Sequence, residues 1–122
     1  MSDIKKKRSV LVVDDEQKLL RFVEISLRIR GFDVVTTTSG QEALDLVKSA
    51  KPDIMLLDVI MPGIDGFQVL KELRTFTGLP VIVFSASPGN QEKALQLGAN
   101  DFMPKPFDAD ELVRRIKKIV SH

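Results

Sequence analysis

Hydrophobic positions along this chain follow two alternating rhythms. Unbroken apolar runs occur at Ser9 to Val13 (SVLVV), Ile54 to Leu57 (IMLL) and Val81 to Phe84 (VIVF), with a β-branched run at Phe32 to Thr37 (FDVVTT). Such runs mark strands covered on both faces, as in a parallel sheet. Between them the spacing changes to i, i+3, i+4, the period of a helix with one buried side. Glu16 to Arg30 carries Leu19, Leu20, Val23 and Leu27, with Ile29 or Phe22 as a further apolar neighbour, and Gly31 ends it as a left-handed cap. Ser39 opens a second helix, with Glu42 three residues on as a capping box and Ala43, Leu46 and Val47 as the buried stripe. Lys51-Pro52-Asp53 breaks the chain before the next strand. Gly66 to Arg74 supplies a third helix, with Phe67, Leu70 and Leu73 on one side, and Gln91 to Leu97 a short fourth, closed by Gly98. Asp101 to Met103 is a brief fifth strand. Asp108 then caps the last helix, Glu111 completes a second capping box, and Leu112, Ile116, Ile119 and Val120 form its apolar side.

Strand followed by helix, five times over, predicts a doubly wound α/β fold. It has a five-stranded parallel sheet, right-handed crossovers and helices on both faces. The 122 residues suit one domain with one core, residues 9–122, behind a basic tail at 1–8 that ends in Lys5, Lys6, Lys7 and Arg8. A net charge of +1 provides no field to gather nucleic acid or an anionic membrane. The absence of cysteine excludes disulfides and thiolate metal sites. No apolar run is long enough to span a bilayer. The basic start is followed by too short an apolar stretch for a signal peptide, so a cytoplasmic location is expected.

Candidate chemistry gathers at the carboxyl ends of the strands, where open α/β sheets bind their ligands. The first strand delivers Asp14 and Asp15, the third Asp58, the fourth Ser85 and the fifth Lys105. The second offers only threonines and Ser39. Each aspartate alone reads as a turn residue or cap, and Ser85 alone as an ordinary serine; the set together is harder to get by accident. Carboxylates about 4 Å apart at an effective dielectric near 20 repel by on the order of 4 kcal/mol per pair before screening. A cation offsets such a cluster, and an oxygen-only open site suits Mg²⁺, which commonly takes carboxylates, waters and a phosphate. Lys105 and Ser85 can hold two oxygens of an incoming phosphoryl group. Carboxylates serve as nucleophiles in aspartyl-phosphate chemistry, and phosphoryl transfer needs mainly positioning and charge neutralisation.

The chain resembles the receiver domain of response regulators, the flavodoxin-like module of two-component signalling with strand order 2-1-3-4-5. The resemblance rests on VLVVDDE (Val10 to Glu16), LLDVIMPGIDG (Leu56 to Gly66), FSAS (Phe84 to Ser87), GANDF (Gly98 to Phe102) and KPF (Lys105 to Phe107). It implies that Asp58 accepts a phosphoryl group from a phosphohistidine on a sensor histidine kinase or phosphotransfer protein. It implies that Asp14, Asp15, Asp58 and the carbonyl of Ile60 hold Mg²⁺. Ser85 would be the switch hydroxyl, with Ala86 beside it in the phosphate-binding segment. Lys105 would pair with the phosphate, the Lys105-Pro106 bond would be cis, and Phe102 would be an aromatic switch. Its other reading is a plain core phenylalanine. The face of helix 4, strand 5 and helix 5 would bind a downstream target or output domain, in a monomer or a weak phosphorylation-dependent dimer.

Three departures bear on this. Phe102 lacks the hydroxyl of the commoner tyrosine, so a switch there acts through packing. Ser85 replaces the commoner threonine. The segment from Ser85 to Gly98 is shorter than usual and contains Ser87, Pro88, Gly89 and Asn90, which predicts a short or displaced fourth helix. The chain ends just after the last helix, so no output domain is expected in it, whether it is a whole single-domain regulator or a piece of a longer one. The main alternative is a receiver-like interaction module that never turns over phosphate. An aspartate-nucleophile phosphatase would carry a second acid two residues after the nucleophile, where Ile60 stands, and no glycine-rich phosphate loop supports a flavin or nucleotide carrier.

Overall fold

The computed structural model describes residues 7–61 and 64–120. In chain order the elements are β1 (Ser9–Val13), α1 (Gln17–Arg28), β2 (Asp33–Thr37), α2 (Gly40–Ala50), β3 (Ile54–Asp58), β4 (Ile60–Met61), β5 (Ile64–Asp65), α3 (Gly66–Arg74), β6 (Val81–Ser85), α4 (Gln91–Gln96), β7 (Asp101–Pro104) and α5 (Ala109–Val120). A single 3₁₀ turn, Pro88–Asn90, precedes α4. Five strands form one parallel sheet in the order β2-β1-β3-β6-β7, which is the expected 2-1-3-4-5 once the short antiparallel pair β4 and β5 is set aside. Met1 to Lys6 of the expected basic tail, and Pro62 and Gly63 of the loop after Asp58, lie outside the described residues.

Side chains of successive strand residues point to opposite faces, so each central strand feeds two cores. Leu11, Val13, Met55, Leu57, Val81 and Val83 pack under α2, α3 and α4. Val10, Val12, Ile54, Leu56, Ile82 and Phe84 pack under α1 and α5. All five residues of β3 and all five of β6 are buried. That is why these strands read as continuous apolar runs rather than alternating ones.

The helices differ from the sequence reading in their details. In α1 the buried stripe is Leu20, Val23 and Leu27, while Phe22 and Ile29 are 47% and 75% exposed. Ile25 joins them on the outer side. In α2, Leu44 takes the buried place expected of Leu46, which is only partly covered. Neither capping box closes. Ser39 Oγ accepts the Glu42 N–H at 3.1 Å, but the Glu42 carboxylate turns to the Thr37 hydroxyl, which also accepts the Ser39 N–H. Asp108 caps α5 through the N–H groups of Asp110 and Glu111, while the Glu111 carboxylate goes to Arg114 and Arg115. Charged donors form stronger hydrogen bonds than a backbone amide, which accounts for the diverted Glu111. Gly31 and Gly98 take the left-handed conformation (φ +91° and +104°) that ends α1 and α4. The fourth helix is short, as its turn formers predict, and only Ala94 of its residues is buried.

Candidate functional site

Asp58 is the last residue of β3 and is 2% exposed. A side chain leaving a fully covered strand at its carboxyl end has nowhere to point but over the sheet edge. Its Oδ1 accepts the N–H of Ile60 at 2.9 Å, which fixes one oxygen and leaves Oδ2 to the site. The backbone at Asp58 is pressed by the start of α3. A Cβ on Gly66 would lie against the Asp58 carbonyl and 2.5 Å from the Val59 Cα, so only glycine fits there.

Asp14 follows β1 and is fully buried; its Oδ1 accepts the Glu16 N–H at 2.9 Å, and its own N–H extends the β1–β2 ladder to the Thr37 carbonyl. Asp15 is exposed. Lys105, just past β7, places Nζ 3.0 Å from Asp14 Oδ2 and 3.0 Å from Asp58 Oδ2. Its N–H donates to the Ser85 carbonyl at 2.8 Å, and the Lys105-Pro106 bond is cis. The ammonium also lies 5.2 Å from the centre of the Phe84 ring. Three segments far apart in sequence therefore meet at one ammonium. Burial pulls the Lys105 pKa down, but its hydrogen bonds to Asp14 and Asp58 and their charges outweigh that and leave it raised. Lys105 is a cation at neutral pH.

Oxygens of Asp14, Asp15 and Asp58 lie within 4.8 Å of one another. Three carboxylates facing one ammonium leave an excess of negative charge, with Asp15 open to solvent. An oxygen-only donor set of this kind fits a hard divalent cation such as Mg²⁺. Ile60, whose carbonyl was expected to contribute, is 51% exposed and holds Asp58 through its N–H.

The other expected residues lie around this rim. Ser85 ends β6 and is fully buried. It makes no hydrogen bond to Asp58 or to the Lys105 ammonium; its Oγ instead accepts the Ser87 N–H at 3.0 Å and Asn90 Nδ2 at 3.1 Å. Asn90 carries no mark of a site residue in the sequence. Its only signal there was membership of a turn-forming segment. Ala86 is exposed and borders an apolar groove of about 460 Å³ with Leu19, Phe22, Lys105, Pro106 and Phe107. Phe102 is 5% exposed and packs in the core cluster that contains Ala94 and Ala99. Arg74, also missed, donates from Nε and Nη2 to the Gly98 carbonyl at 3.1 and 2.8 Å and from Nη2 to Asn100 Oδ1 at 3.2 Å. No helix among the described residues is long and apolar enough to cross a membrane.

Comparison with known proteins gives one consistent result. The family model for the response regulator receiver domain matches residues 10–117. The receiver domain of the Francisella response regulator 1452 superposes with a TM-score of 0.88 at 35% identity, over 94% of this chain and 98% of that one. The Vibrio cholerae chemotaxis protein CheY4 gives 0.85 at 28% identity, over 93% and 99%. NtrX from Brucella abortus gives 0.85 at 31% identity, with 95% of this chain matching 27% of a much longer one.

Proposed function

The chain belongs to the response regulator receiver domain family of two-component systems, and on that premise we propose that it is a switch thrown by phosphorylation of Asp58. The observation that carries the reading is the Lys105 ammonium held 3.0 Å from both Asp14 and Asp58 beside the open carboxylate of Asp15. This joins a nucleophile, a cation site and a phosphate-binding donor in one place.

In the proposed reaction, Asp58 Oδ2 attacks the phosphorus of a phosphohistidine on a sensor kinase or phosphotransfer protein. The new O–P bond forms as the N–P bond to imidazole breaks, and the imidazole leaves with the electron pair. Asp58 is poised for this because the Ile60 N–H immobilises its other oxygen. Lys105 can pass from the carboxylates to a phosphoryl oxygen without leaving the site, and Ser85 can donate to another. Mg²⁺, held by Asp14, Asp15, Asp58 and the Ile60 carbonyl, would supply neutralisation of the charge on the transferring group. The aspartyl phosphate adds close to two negative charges and three acceptors, and differential contacts with Ser85 and Lys105 shift the loop equilibrium. Hydrolysis of the acyl phosphate resets the switch.

The apolar groove beside Lys105, lined in part by half-exposed Phe22 of α1, supports a partner that docks next to the nucleophile. The surface of α4, β7 and α5 is the proposed output face. The domain proposed is 9–122, acting in the cytoplasm as a monomer or weak phosphorylation-dependent dimer without direct nucleic-acid contact. Incubation with acetyl phosphate and Mg²⁺ should add a labile phosphoryl mass that Asp58→Asn abolishes. Failure of the parent protein to gain it would favour the interaction-module alternative.

A further inference from the structure

The Ser85 hydroxyl has two lone pairs, and both are engaged, one by the Ser87 N–H and one by Asn90 Nδ2. The first partner is two residues away in a local turn. The second sits half-buried at the end of the 3₁₀ turn and directly before α4. We propose that Asn90 is a latch: its carboxamide holds the switch serine away from Asp58, and reorientation of that serine toward the phosphoryl group frees the first turn of α4. The proposal rests on the phosphoacceptor reading and adds a positioning residue to it.

The two ends of α4 are held unequally. At its carboxyl end the Gly98 carbonyl accepts twice from the Arg74 guanidinium, and Asn100 accepts a third bond from it. Hydrogen bonds from a cation are about twice as strong as neutral ones. At its amino end the side-chain tie to β6 is the neutral Asn90–Ser85 bond, beside a contact of the Lys93 ammonium with the Phe67 ring of α3 at 4.4 Å that does not reach β6, and within the helix only Ala94 is buried. Losing one neutral bond therefore loosens the amino end while Arg74 keeps the other in place. The helix pivots about Gly98, and its movement carries the neighbourhood of Ala94, Ala99 and Phe102 with it.

The test uses beryllofluoride, a phosphoryl mimic, with Mg²⁺ on the full chain, binding being read by ¹⁹F NMR. A latch that opposes the loaded state has the worth of one neutral hydrogen bond. Asn90→Ala should therefore bind beryllofluoride about fivefold more tightly, equivalent to ~1 kcal/mol. In a Ser85→Ala background the same substitution should change affinity by less than about twofold, because the latch then has nothing to hold. Unchanged or weaker binding by Asn90→Ala, or equal tightening with and without the Ser85 hydroxyl, would overturn the latch, since a helix-capping role alone would act whatever stands at 85. If the parent protein binds no beryllofluoride and gains no phosphoryl mass, the phosphoacceptor reading itself falls and takes the latch with it.

Discussion

Replacing Lys105 by methionine should cost the metal-free protein far more stability than replacing one of the acids it joins. At 3.0 Å and an effective dielectric near 20, each Lys105–carboxylate attraction is on the order of 5 kcal/mol before screening. Repulsion between Asp14 and Asp58, whose oxygens lie within 4.8 Å, is about 3 kcal/mol or more on the same scale. Desolvation of the three groups offsets most of the attraction. What Lys105→Met leaves behind, however, is two buried carboxylates facing each other with no counter-charge. Stranding a buried charge typically costs about 3–5 kcal/mol, and because the Lys105 side chain is 20% exposed the lower end applies. For a domain of this size that is a fall in Tm of about 10 °C. Thermal unfolding followed by circular dichroism in a chelating buffer reads it directly. Adding Asp58→Asn to Lys105→Met removes one of the stranded charges and should return part of the loss. A Lys105→Met protein that melts within about 2 °C of its parent would show that the ammonium does not hold the two acids together, as would a double variant less stable than the single one.

Three further outcomes are expected. Millimolar Mg²⁺ should raise the Tm of the parent protein, and Asp15→Ala should remove that rise while leaving the metal-free Tm nearly unchanged, because Asp15 is exposed. Gly66→Ala should destabilise by about 1–3 kcal/mol in a urea melt and slow acetyl-phosphate uptake, since the new methyl displaces the backbone that carries Asp58. Lys105 has a raised pKa in the fold, so its contribution is complete below its unfolded value near pH 10.5 and is lost as pH rises through the folded value. Urea midpoints should therefore fall across that alkaline range in the parent protein and fall less in Lys105→Met.

The parallel sheet was legible because strands buried on both faces leave no polar position to break their runs; Ile54 to Leu57 is the plainest case. Asp14, Asp58, Ser85 and Lys105 were legible as rim residues for a related reason, since each is where a strand stops. What resisted reading depends on competition between partners. Both capping boxes have the right residues, yet Glu42 and Glu111 find other donors, and spacing holds no record of that. Phe22 and Ile29 suit a helical stripe, but the buried line through Leu20, Val23 and Leu27 leaves them outside. The β4–β5 pair is too short to have a period. The ties made by Asn90 and Arg74 join groups whose nearness exists only after folding.

The bonds from Lys105 to Asp14 and Asp58 span 91 and 47 positions of sequence. One bond ties the segment after β7 to the end of β1, the other ties it to the end of β3. This rim is thus a seam that closes only when β7 has docked beside β6. A nascent chain halted before that point would carry both aspartates yet have no ammonium between them. On the proposed function, the complete pocket around Asp58 would thus exist only in a chain folded through β7, and a half-made chain would lack it.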